Sequence, residues 1–192
     1  GTNISSGTYK NYWSLGDGSI DSTNSKTKTY AGVGSFQVKL KSISNNGCKD
    51  SVVKLVIVYE NAVPQFTVNT PVQCFNGNSF TYTNTSTLNA GTYTSEWSLG
   101  DGSKAFTKNP GTKTYVIFNP TYKVKLVLTT NNGCKDSIEK TITINPNPKA
   151  SFSVNDTDQC QNINNFVFTN AGSISSGTMT STWAFGDAAI SS

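Results

Sequence analysis

A chain of 192 residues with 35% hydrophobic and 14% charged side chains has room for one large domain or about two of ordinary size, and 10 Phe, 8 Tyr and 3 Trp supply enough aromatic surface for a core. It contains no His, which excludes His-dependent triads and most zinc sites, and no Arg, so a net charge of +4 lacks the guanidinium fork that reads phosphate and guanine, and nucleic acid is discounted as a partner. No apolar run approaches the roughly 20 residues of a membrane span, and the opening GTNISSGTYK lacks the regions of a secretion signal, so any targeting signal is expected elsewhere.

Taken in order, the predicted elements are all strands. Phe36–Leu40 (FQVKL) alternates apolar and polar residues, and a further alternating run closes at Val58. Short strands follow at Gln65–Asn69, Ser79–Asn84 and Ser95–Leu99. In TYKVKLVL, Tyr122, Val124, Leu126 and Leu128 face one side while Lys123 and Lys125 face the other, as a half-buried strand requires. Ile138–Ile144 is the last, after the turn signal Asn131–Gly133. No window has helical periodicity. The core is expected around Phe66, Phe80, Tyr82, Trp97, Val124, Leu126 and Ile142.

The sequence repeats itself. YWSLGDGS at Tyr12–Ser19 returns as EWSLGDGS at Glu96–Ser103 and, altered, as TWAFGDAA at Thr182–Ala189. Trp13, Trp97 and Trp183 are therefore spaced by 84 and 86 residues, and Cys48 with Cys134, Cys74 with Cys160 and Phe66 with Phe152 each differ by 86. A fixed period of this size means one sandwich-sized unit used repeatedly. Pro-containing stretches, YENAVP and NPNPKA, mark the junctions. The expected organisation is the C-terminal two thirds of one repeat (1–59), a complete repeat (60–147) and the N-terminal half of a third (148–192), a piece of a longer protein. The fold class is all-β, a tandem array of Ig-like antiparallel β-sandwich repeats of about seven strands each.

Trp97, Gly100, Asp101 and Gly102, followed by Tyr115, Tyr122, Val124 and Leu126, resemble the PKD (polycystic kidney disease) domain signature WDFGDG…Y…G-x-Y-x-V-x-L. Ser98 replaces the first acidic residue, and Asp187 is followed by two alanines. The QC, NGCKDS and FTNTS-like runs resemble PKD arrays of large secreted Bacteroidetes surface proteins, including gliding adhesins. The resemblance implies an extracellular or cell-surface location and partners among neighbouring repeats, surface polysaccharide and cell-envelope or secretion proteins. It also makes Asp-Ser followed by Thr or an apolar residue an O-glycosylation signal, with Ser22, Ser51 and Ser137 as acceptors.

Three sets of residues are candidates for chemistry. The first is the GDG turn, built by Gly16, Asp17 and Gly18, by Gly100, Asp101 and Gly102, and in the third copy by Gly186 and Asp187. Glycine permits positive φ and Asp closes local turns, so a structural role is preferred, with no cofactor expected and calcium kept as a minor alternative because it needs roughly six to eight oxygens. The second is Cys48, Cys74, Cys134 and Cys160, read as disulfide cysteines because a secreted array is oxidised. Their connectivity stays open: within a repeat, between the first-hairpin cysteine of one repeat and the last-hairpin cysteine of the next, or between neighbours 26 residues apart (Cys48 with Cys74, Cys134 with Cys160). The third is a lysine set, Lys39, Lys41, Lys123 and Lys125, read as solvated residues guarding strand edges.

Two functions follow. One is a structural stalk that holds an adhesive or enzymatic tip away from a cell surface, as in an adhesin used for attachment or gliding motility. The other is a carbohydrate- or protein-binding accessory module of a secreted hydrolase. Binding requires an exposed aromatic platform, and the equivalent positions are Tyr9, Tyr93 and Met179. An enzyme is not expected, since nothing supplies nucleophile, base and orienting group together.

Overall fold

The computed structural model describes residues 7–186 and 190–191, and among these its only helical turn is a 3-10 turn at Gln161–Ile163. Four strands form the first sheet, in the order β2-β1-β3-β4: β1 (Tyr9–Ser14), β2 (Ile20–Asp21), β3 (Gly34–Ser44) and β4 (Lys49–Val58). Eight follow between residues 66 and 145: β5 (Phe66–Val68), β6 (Val72–Cys74), β7 (Phe80–Asn84), β8 (Tyr93–Ser98), β9 (Lys104–Ala105), β10 (Gly111–Lys113), β11 (Thr121–Thr130) and β12 (Lys135–Asn145). Beyond them come β13 (Phe152–Val154), β14 (Phe168–Asn170), β15 (Trp183–Ala184) and β16 (Ile190–Ser191).

The central segment is a two-sheet sandwich. A three-stranded sheet, β10-β7-β5, faces a five-stranded one, β6-β12-β11-β8-β9. Alternation in TYKVKLVL sends Tyr122, Val124, Leu126 and Leu128 inward from β11, where they meet Phe66, Phe80 and Tyr82 of the other sheet. Trp97 lies opposite Leu126 in the β8–β11 ladder and is fully buried, edge-on to Phe66 with ring centroids 5.1 Å apart. Every residue expected in the core is buried there.

Two features depart from the sequence expectations. The strand that begins at Phe66 does not stay in one sheet. Pro71 has no N–H to give a ladder, and its carbonyl instead accepts the Thr143 amide at 2.8 Å, which carries Val72–Cys74 across to lie parallel to Thr143–Asn145. The sandwich is thus antiparallel except for this one parallel pair. The lysines, moreover, guard no edge: Lys39 and Lys41 are on β3 and Lys123 and Lys125 on β11, both flanked by strands on each side. They solvate the outer sheet face, where Lys123 pairs with Glu139 at 3.1 Å.

Residues 9–58 reproduce half of this sandwich. Phe36 lies opposite Val56, and Leu40 opposite both Val52 and Trp13, just as Tyr122 lies opposite Ile142 and Leu126 opposite Ile138 and Trp97. Phe152 and Phe168 likewise pair in β13 and β14 as Phe66 and Tyr82 do in β5 and β7. No second sheet covers either set among the described residues.

Candidate functional site

The GDG turn is built the same way twice. After the tryptophan strand the chain reverses, with the Leu99 amide bonded to the Ser103 carbonyl and the Leu15 amide to the Ser19 carbonyl, each at 3.0 Å. Gly100 adopts φ +88°, and a Cβ there would meet the Lys123 carbonyl oxygen at 2.8 Å; Gly16, at φ +84°, would meet the Gln37 backbone nitrogen at 2.8 Å. Glycine is therefore required twice over, by backbone conformation and by the close approach of the next strand. Asp101 Oδ1 accepts from the Ser103 amide at 3.0 Å and hydroxyl at 2.5 Å, while Oδ2 pairs with Lys113 Nζ at 2.5 Å. Asp17 has the same partners in Ser19 and Lys28, the latter at 2.6 Å.

A tyrosine completes each brace. Lys113 Nζ stands 5.6 Å from the Tyr115 ring centroid and Lys28 Nζ 5.6 Å from that of Tyr30. Tyr115 donates its hydroxyl to the Leu99 carbonyl at 2.6 Å, and Tyr30 to that of Leu15 at 2.7 Å. In the complete sandwich Tyr115 lies in the core, its hydroxyl 3.1 Å from that of Tyr82, and Asn78 holds its backbone from both sides. The residues that sequence reasoning missed are Lys28 and Lys113. The signal was the recurring triplet Lys-Thr-Tyr at Lys28–Tyr30 and Lys113–Tyr115.

The electrostatics follow from these contacts. Burial acts to raise the Asp101 pKa, but hydrogen bonds from Lys113 and Ser103 outweigh it and hold the carboxyl at about 2. Lys28 and then Ser19 lower Asp17. Burial raises Tyr115, and the Tyr82 hydroxyl adds to the shift, so it stays a neutral donor. The aspartate is thus a charged brace whose oxygens are already engaged, and a cation at the turn would have to displace the lysine ammonium. Among the described residues no three His, Cys, Asp or Glu side chains come together as a metal site.

The other expected residues scatter. Gly186 keeps a positive φ of +84°, but Asp187 lies outside the described residues, as do the two alanines after it. Trp13 and Trp183 are half-buried and Trp97 is fully buried, so Trp97 offers no face to a ligand. Tyr93 is also half-buried, its hydroxyl bonded to the Ser86 carbonyl; with Tyr9 exposed and Met179 half-buried, no aromatic platform recurs. Ser22, Ser51 and Ser137 are all exposed.

The cysteines correct an expectation. All four are free thiols, so neither the within-repeat pairs nor the pairs 26 residues apart are formed. Cys74 is registered beside Asn145 at one end of β12, whereas Cys134 precedes its first residue at the other end. At about 3.3 Å per residue they are on the order of 35 Å apart, far beyond disulfide reach.

Residues 61–146 match the family model described as PKD domain. Among solved structures, the PKD1 domain of the Vibrio cholerae metalloprotease PrtV is 26% identical, with 43% of this chain and 95% of that one covered at a TM-score of 0.37. The fibronectin(III)-like modules of CbhA from Clostridium thermocellum are 15% identical, with 71% and 78% covered at a TM-score of 0.37. No curated protein matches the chain. The buried tryptophan, the braced GDG turn and the family match agree on one statement: residues 61–146 are a PKD domain.

Proposed function

We propose that this chain is a spacer segment of an extracellular protein, made of tandem PKD-type repeats with boundaries near 1–59, 60–147 and 148–192. The observation that carries the reading is the way the chain leaves the PKD domain. The Asn145 carbonyl accepts the Phe75 amide at 2.8 Å, and Asn147 Oδ1 accepts the Asn76 amide at 2.6 Å. Lys149 then exchanges both backbone hydrogen bonds with Ser173 of the following segment. Only Pro148 lies between residues fixed to one side and residues fixed to the other, and proline has little freedom of its own. The preceding junction is similarly short, since β4 ends at Val58 and Val63 is already bridged to Thr87. Short, anchored connections transmit position, which is what a spacer must do.

PKD domains are non-catalytic modules, and the braced turn has no free acid or base to change that. The stalk we infer belongs to a large adhesin-like surface protein of the gliding type, with neighbouring repeats and cell-envelope components as its partners. This rests on the sequence resemblance, as does glycosylation at Ser22, Ser51 and Ser137. A disulfide would have to join the first-hairpin cysteine of one repeat to the last-hairpin cysteine of the next, because those two face the same junction. Small-angle scattering on the chain tests the spacer: an elongated profile is expected, and a compact one would refute it.

A further inference from the structure

We propose that the two flanking half-sheets are mutually complementary surfaces, and that residues 148–170 of one copy of this chain dock on the apolar face of the β1–β4 sheet of a second copy. Docking completes a sandwich of the kind formed by residues 61–146 and joins chains head to tail. The inference rests on strand register and does not depend on the spacer role.

The acceptor is a sheet lacking its partner sheet. Its inward face carries Trp13, Phe36, Val38, Leu40, Val52 and Val56, in the register of Trp97, Tyr122, Val124, Leu126, Ile138 and Ile142. Ile142 is 1% exposed under the β5–β7 sheet, whereas Val52 is 51% and Val56 38% exposed. Lys54 falls opposite Val38, as Lys140 falls opposite Val124; Lys140 donates to the Phe66 carbonyl from above its ring, a bond Lys54 can make only if a Phe66 equivalent arrives.

The donor has the converse defect. Phe152 and Phe168 take the ladder positions of Phe66 and Tyr82 but are 61% and 41% exposed, along a cleft of about 510 Å³ that Trp183 only partly covers. This hairpin is already in its docked conformation. Asn155 bonds Asn165 and Val167 as Asn69 bonds Ser79 and Thr81, and Gln159 bonds Asn165 as Gln73 bonds Ser79. Little ordering entropy is left to lose on association.

Occupancy by a second copy follows from where the halves are attached. The acceptor joins the PKD domain at the Val63–Thr87 end and the donor at the Asn145 end, which β12 separates by roughly 35 Å at a strand rise of about 3.3 Å per residue. One chain therefore cannot bring its own two halves together without abandoning the anchored junctions. A head-to-tail contact between identical chains does not close on itself, so it generates a series of oligomers. There is also one internal competitor. Trp183 lies against Phe152 at 5.6 Å and 71°, nearly the 5.1 Å and 70° of Trp97 against Phe66, so Trp13 must displace it on docking. The two-residue β15–β16 pairing that holds Trp183 makes this displacement easy.

Light scattering and sedimentation of the full 192-residue chain test the proposal. The expected result is a mass that rises with concentration through multiples of the monomer. Val56→Asp and Phe168→Asp, both at surface-exposed positions, should each give monomers alone while keeping the PKD-domain melting transition. Mixed, they should give a two-chain species and nothing larger, since each retains the face the other has lost. Trp183→Ser should tighten association severalfold by removing the competitor. A wild-type chain that stays monomeric throughout would overturn the proposal, as would oligomers that persist in both single variants, or a mixture that remains monomeric.

Discussion

Gly100 and Gly102 share a positive φ, +88° and +89°, yet only Gly100 has backbone pressed against the place of a Cβ. Gly102→Ala should cost about 1 kcal/mol from conformation alone, while Gly100→Ala adds a clash with Lys123 and should cost about 2 to 3 kcal/mol in denaturant unfolding. At the same turn, the Asp101 carboxyl is held below its unfolded-chain value near 4. The stability it contributes is complete above about pH 4 and is lost as pH falls through its folded value of about 2. Asp101→Asn should therefore lower the melting temperature at neutral pH and flatten its decline between those limits. The turn was legible because Gly-Asp-Gly states a backbone requirement locally. Lys113 was not, because it reaches Asp101 only once β10 has folded back over the turn.

The same division holds for strands. β11 and β12 were readable because one face is core and the other water, which writes a period of two into the sequence. β6 was not, since three residues carry no period and the crossing depends on the carbonyl of Pro71 finding Thr143. Nor does local alternation report the neighbours a strand will have, and so lysines of two central strands read as edge guards. Trp97 binds the two sheets together, touching Phe66 and Tyr82 from its place opposite Leu126. Trp97→Ala should cost about 3 to 5 kcal/mol and abolish the cooperative unfolding transition of residues 61–146. Retention of the wild-type melting temperature would contradict its role as the centre of the core.

Across the whole molecule, the parallel pairing of β6 with β12 determines how the domain meets a pulling force. Its N-terminal side is drawn toward the Val63 end and its C-terminal side beyond Asn145, so β6 and β12 are dragged in opposite directions along their length. The bonds from Thr143 to Pro71 and from Phe75 to Asn145 then lie across the load and must fail together, not one after another as in an unzipping hairpin. Single-molecule stretching of the chain from its two ends should show one abrupt rupture for residues 61–146. Gln73→Pro should lower its force more than it lowers thermal stability. A tether under tension would thus yield in all-or-none steps, behaving as a mechanical fuse.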